Sequence, residues 1–251
     1  MLFNEVPFLD RFAAAAECGF TGVEFLFPYE HSPGAILEQL EKYHLEVVLF
    51  NMPPGNWAAG ERGLACNPGR EEEFRAAIET ALIYARALRI PRLHAMAGIA
   101  PSGVDRAACK ATLIANLKYA AQKLAPDNIT VLLEAINYRD IPGFFINTQA
   151  ESYEICEAVD EPSLKMQMDL YHMQVMEGDI ATKLRQYAPQ CGHIQIAGTP
   201  GRNEPDTGEV HYEYLFRLLD EIGYAGWVGC EYRPAGTTIG GLGWFQEWKN
   251  R

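Results

Sequence analysis

Residues 164–172 read Leu164-Lys165-Met166-Gln167-Met168-Asp169-Leu170-Tyr171-His172. A short, mostly apolar run ends on a carboxylate, and a histidine follows three residues later. The same arrangement recurs along the chain. Val131-Leu132-Leu133 runs into Glu134, Ile194 and Ile196 flank Gln195, and Val228-Gly229-Cys230 runs into Glu231. From Glu134 to Asp169 is 35 residues, from Asp169 to Gln195 is 26, and from Gln195 to Glu231 is 36. Each step is about one βα repeat, so neighbouring parallel strands bring the four polar groups to one end of a sheet.

Outward from these strands, apolar runs alternate with helical patterns. Strands are expected at 21–28, 45–52, 92–98, 129–137, 164–170, 192–197 and 226–232. Helices are expected at 33–44, 71–88, 105–124, 149–159, 179–187 and 212–222. A further helix at 6–18 stops at Gly19. Such alternation implies a parallel sheet with right-handed crossovers. No linker or shift in composition divides the chain, which reads as one domain over residues 1–251. Seven strands are one short of a closed (β/α)₈ TIM barrel, and Met1–Phe3 is too short to supply the first. Two architectures fit: an open doubly wound sheet, or a TIM barrel whose first strand is missing or truncated. The long loops after the strand ends favour the barrel.

Composition bounds the partners. Of 251 residues, 48% are hydrophobic and 22% charged, as in ordinary globular proteins. The net charge of −12 repels nucleic acid and anionic membranes. No apolar run approaches the roughly 18 residues that span a bilayer. The six scattered cysteines form no C-x-x-C pair and fit reduced thiols in a cytoplasmic protein. The sequence leaves a homo-oligomer open. There is no G-x-G-x-x-G, Walker A, G-x-S-x-G or H-E-x-x-H motif, so nicotinamide, serine-hydrolase and zincin chemistry lose support.

The polar set itself points to a metal. A lone carboxylate at a strand end is usually an ion-pair partner, but three carboxylates converging on one point repel each other and resist ionisation unless a cation compensates them. Glu134, Asp169, Gln195 and Glu231 all offer oxygen, which suits Mg²⁺ or Mn²⁺ better than zinc. Around them, His172 and His94 are candidate substrate contacts. Arg202, in the loop after Gln195, is either a bidentate clamp for a substrate carboxylate or a solvated loop charge. His193 reads as structural, and Glu24 either lines the pocket or, the favoured reading, pairs with a neighbouring arginine. Loop 57–63 carries glycine hinges and Trp57, which fits either a lid or a static surface loop.

At these residues the chain resembles the hydroxypyruvate isomerase family of the xylose isomerase-like barrels. The segments carrying the likeness are Gly22-Val23-Glu24-Phe25-Leu26-Phe27-Pro28-Tyr29, Trp57-Ala58-Ala59-Gly60-Glu61-Arg62-Gly63, Pro68-Gly69-Arg70-Glu71, Asp169-Leu170-Tyr171-His172, Gly208-Glu209-Val210 and Gly229-Cys230-Glu231-Tyr232. The resemblance covers nearly the whole chain. It implies that Glu134, Asp169, Gln195 and Glu231 bind the metal, and that Glu134 and Glu231 are also the catalytic proton-transfer pair. It further implies a barrel strand just before the position of Leu2. Related ketose 3-epimerases carry histidine where Gln195 stands, which favours the isomerase branch. Segments 94–98 and 241–245 look more like the 2-oxo-tetronate isomerases, and segments 57–63 and 136–144 more like hydroxypyruvate isomerase.

The expected reaction is a metal-dependent isomerisation of a small hydroxy-carbonyl acid, hydroxypyruvate to tartronate semialdehyde, by proton transfer through an enediolate. The alternatives are a 2-oxo-tetronate isomerase, a metal-dependent dehydratase on the same scaffold, and a non-catalytic barrel that binds sugar acids.

Overall fold

The inner strands of the sheet are buried on both faces, which is why they read as apolar runs rather than as alternation. The computed structural model describes residues 1–249. Strands β1 (Gly22–Phe25), β2 (Glu46–Asn51), β3 (Arg92–His94), β4 (Thr130–Glu134), β5 (Leu164–Asp169), β6 (Cys191–Ile196) and β7 (Val228–Cys230) form one sheet. They lie in chain order and every pair is parallel. Helices α1 (Arg11–Glu17), α2 (Pro33–Tyr43), α3 (Glu71–Leu88), α4 (Arg106–Leu124), α5 (Gln149–Val159), α6 (Leu170–Met176), α7 (Ile180–Tyr187), α8 (Tyr212–Glu221) and α9 (Phe245–Trp248) complete the fold. This is a TIM barrel of seven strands, nearly closed.

Local chemistry explains the helices. Helix α3 turns Phe74, Ala77, Ile78, Ala81, Leu82, Ala85 and Leu88 inward at helical spacing, and three glutamates occupy its first turn, where the helix dipole favours negative charge. Ser32 caps α2 ahead of Pro33. Thr148 and Glu151 close a capping box on α5.

The barrel is open along one seam, where β1 and β7 do not pair. A cavity of about 760 Å³ lies there, lined by Phe12, Phe25, Val228 and Trp244 among others, and it reaches inward to Glu24, Gln195 and Glu231. The expected count of seven strands therefore holds. The expected strand at 92–98 stops at His94, and beyond Ala95 the chain pairs with loop residues instead of the sheet. Gly63 bridges antiparallel to Ala97, and its φ of 118° suits glycine. A Cβ on Gly63 would run into the Met96 carbonyl. The helix expected at 6–18 is an irregular turn at Phe8–Asp10 followed by α1, with Pro7 holding its own φ near −55°. Helices α6 and α9 were not expected. Loop 57–63 is pinned rather than loose: Arg62 stacks over the Trp57 ring at 3.9 Å, and Glu61 forms an ion pair with Arg70.

Candidate active site

Strand ends place the polar groups. Glu134 is the last residue of β4, Asp169 the last of β5, and Gln195 pairs in register with Asp169 on β6. Glu231 follows β7 directly, and its backbone N–H donates to Ile196 O. One potential ligand atom each from Glu134, Asp169 and His172 lie within 4.8 Å of one another, all buried. His172 Nε2 stands 3.4 Å from Asp169 Oδ2 and 3.7 Å from Glu134 Oε1.

The charge state of this cluster is abnormal. Burial, then the negative charges of Glu231 and Asp169, push the Glu134 carboxyl well above its ordinary value. Burial pushes Asp169 up to about 7, although Arg202 and backbone N–H groups pull the other way. Glu134 Oε1 is buried with no hydrogen-bond partner. An orphaned carboxylate oxygen among like charges is what a bound divalent cation would satisfy, so the residues present fit a hard metal ion.

Arg202 is no solvated loop charge. It is buried at a left-handed φ of 57°, in a part of conformational space that costs energy for a side chain of its size. Its guanidinium bonds to Asp140 at 3.0 Å, Glu231 at 3.0 Å and Asp169 at 3.4 Å, and lies 4.9 Å over the Tyr171 ring. Tyr171 in turn donates to Asp140 at 3.1 Å. Tyr171 comes to the mouth on α6, between Asp169 and His172, and the folding of loop 137–140 brings Asp140 to it.

His172 has a defined tautomer. Asn137 Oδ1 accepts from the Asp140 N–H at 2.7 Å, so its amide nitrogen must face His172 Nδ1, 2.6 Å away. Nδ1 is therefore an acceptor and Nε2 carries the proton, pointing at the carboxylates. Burial and Arg202 hold His172 well below its ordinary pKa, hence neutral. His94 is buried at the end of β3, 3.6 Å from Glu134, and burial pushes it down to about 3.

Gln195 makes its contacts elsewhere. Its Nε2 donates to Glu24 at 2.9 Å, and its Oε1 accepts from Gln167 at 2.6 Å. Glu24 pairs with His193 at 2.6 Å, not with an arginine as its sequence position suggests. Burial raises Glu24, but His193 and Gln195 outweigh it and leave the carboxyl below its ordinary value. Gln167 was missed as a site residue. For Gln167, its position two residues before Asp169 on the same strand face was the available clue.

A 2-oxo-tetronate isomerase of Cupriavidus necator is 52% identical over 251 residues, covering 100% of this chain and 96% of that protein. The hydroxypyruvate isomerase of Escherichia coli is 47% identical over 249 residues, covering 99% and 96%. A Brucella melitensis structure described as AP endonuclease, family 2, superposes with a TM-score of 0.97 at 53% identity, over 98% of this chain and 95% of that one. Residues 12–248 match the Xylose isomerase-like TIM barrel model, and the chain belongs to that family.

Proposed function

We propose that the chain is a divalent-metal-dependent isomerase of small hydroxy-carbonyl acids, converting hydroxypyruvate to tartronate semialdehyde by proton transfer. The observation that carries this reading is the buried convergence of Glu134 and Asp169, with an unpartnered carboxylate oxygen, beside a neutral His172 and the Arg202 guanidinium. Glu134, Asp169, Gln195 and Glu231 would hold Mg²⁺ or Mn²⁺. When bound, the cation supplies polarisation of the substrate carbonyl and compensation for the charge of the enediolate.

The chain's own residues do the rest. A proton leaves C3 of hydroxypyruvate and another arrives at C2, while the hydroxyl proton passes from O3 to O2, so no oxidant is consumed. Glu134 and Glu231, carried on strands separated by β5 and β6, serve as the two ends of that transfer. The Nε2–H of His172 donates to a substrate oxygen without changing charge. Arg202 receives the substrate carboxylate, and His94, 3.6 Å from Glu134, is a further substrate contact. Resemblance to the C. necator protein favours a second reading on the same chemistry, with a 2-oxo-tetronate as substrate.

The test is a Mn²⁺- or Mg²⁺-supplemented assay of hydroxypyruvate and of 2-oxo-tetronates in D₂O. The expected result is turnover of at least one acid, with deuterium entering at the carbon that gains hydrogen. Absence of turnover on both acids sinks the isomerase reading; turnover with only substrate hydrogen at that carbon sinks the proton relay and leaves a hydride shift.

Arg202→Lys keeps the charge but loses the two-pronged donor. A charge-assisted contact is worth about 1.5–3 kcal/mol, so KM is expected to rise about ten- to hundredfold, with kcat changing far less. Steady-state kinetics on the better substrate decide it; an unchanged KM removes Arg202 from the substrate site.

A further inference from the structure

Four side chains from three strands form one hydrogen-bonded chain beneath the carboxylates. His193 Nε2 meets Glu24 at 2.6 Å, Glu24 accepts from Gln195 Nε2 at 2.9 Å, and Gln195 Oε1 accepts from Gln167 Nε2 at 2.6 Å. An amide has two ends, and metal binding can use only the oxygen. Something must decide which way Gln195 faces.

The two outer members cannot decide it. His193 Nδ1 and Gln167 Oε1 are both buried without partners. His193 can therefore exchange tautomers, and Gln167 can flip, with no bond lost at their free ends. Glu24 alone has fixed polarity, because a carboxylate only accepts. It binds the NH₂ end of Gln195, which turns Oε1 toward β5. Asp169 shares a face of that strand with Gln167, two residues along.

Glu24 reaches β6 from β1 by crossing β7, and the sequence leaves room for it. At Gly229 a Cβ would fall on both carboxylate oxygens of Glu24. Glycine at this site is explained by the passage of that side chain.

We propose that Glu24 is a positioning residue, admitted by Gly229, that fixes the Gln195 amide with its oxygen turned to the metal side. The inference rests on the reading of Gln195 as a metal ligand. Glu24 would not touch substrate or metal itself; it acts through Gln195, as partners of metal ligands generally do.

Calorimetric titration of the metal-stripped protein with Mn²⁺ tests this without reference to turnover. Glu24→Met removes the acceptor and is expected to weaken Mn²⁺ binding about ten- to hundredfold. Glu24→Gln is expected to bind within about threefold of wild type. Its amide can turn either end to Gln195, so the competent orientation stays about half populated, a roughly twofold effect, and His193 follows by changing tautomer. Gly229→Ala displaces the carboxylate and is expected to behave as Glu24→Met does, and it carries the test if Glu24→Met does not fold. Wild-type affinity in whichever of these two folds overturns the proposal. So does an equal loss in Glu24→Gln, since that would make charge, not orientation, the cause. Failure of the wild type itself to bind Mn²⁺ is a different result, and it sinks the metal site as a whole.

Discussion

Glu134→Gln is expected to lower kcat/KM by at least about a thousandfold in the Mn²⁺-supplemented assay, and Glu231→Gln by about a hundred- to ten-thousandfold. The two losses should differ in kind. Glu134 is fully enclosed, borders Asp169 and His172, and has an oxygen with no protein partner. Neutralising it removes a ligand charge and a proton acceptor together, so Mn²⁺ affinity falls along with turnover. Glu231 is more open and already tied to the Arg202 guanidinium at 3.0 Å. Its loss should appear mainly in kcat, with metal affinity falling less, because Arg202 then remains to be compensated by Asp169 and Asp140. Kinetics at saturating Mn²⁺, paired with a metal titration of each variant, separates these effects. If both variants keep more than about a tenth of wild-type kcat at saturating metal, neither carboxylate handles the proton and the proposed relay fails.

The parts of the site that were legible in the sequence are those fixed by strand periodicity. Glu134 and Asp169 end strands whose burial is nearly continuous, and βα spacing alone brings them together. His172 was legible because Asp169 stands at the N-cap of α6, accepting from the Tyr171 N–H at 2.8 Å, which puts the third residue of that helix back at the mouth. What sequence could not supply were contacts made across the barrel or by loops. Glu24 lies 171 residues from Gln195, and their bond depends on Gly229 leaving a gap between them. Asp140 meets Arg202 only because a loop after β4 folds against a loop after β6. Neither contact has a local pattern, since residue type says what a group can bond but not which distant group will be there. The strand ends were over-extended for a related reason. Past Glu134 the residues stay apolar, yet the Ile136 N–H bonds to Ile146 O within the loop instead of extending the sheet.

Removing charge at Glu134 should also invert the usual relation between a mutation and stability. In the metal-stripped protein the Glu134 carboxyl sits well above its ordinary value of 4.5, through burial and then the charges of Glu231 and Asp169. A raised carboxyl stabilises the fold fully only below the unfolded value. As pH climbs past that point the unfolded chain releases its proton while the folded chain holds it, and stability is lost until the folded value is reached. His94 and His172 also titrate abnormally but are present in both proteins, so comparing Glu134→Gln with wild type largely subtracts them, while the Asp169 charge acts through Glu134 and belongs to the effect. The stripped variant is therefore expected to melt above wild type, by a margin that widens as pH rises above the unfolded carboxyl's value and stops widening once the folded carboxyl ionises. Saturating Mn²⁺ should raise the wild type more than the variant and so narrow the gap. A ligand at a hundred times its dissociation constant adds about 2.7 kcal/mol to whatever binds it, and only the wild type binds well. Thermal melts of both proteins, stripped and loaded, across that pH range decide the matter. A margin that does not change with pH would mean that Glu134 ionises normally in the fold. An equal Mn²⁺ shift in both proteins would mean that this carboxylate holds no cation, because the repulsion that burdens the stripped site is the same charge that must draw the metal in.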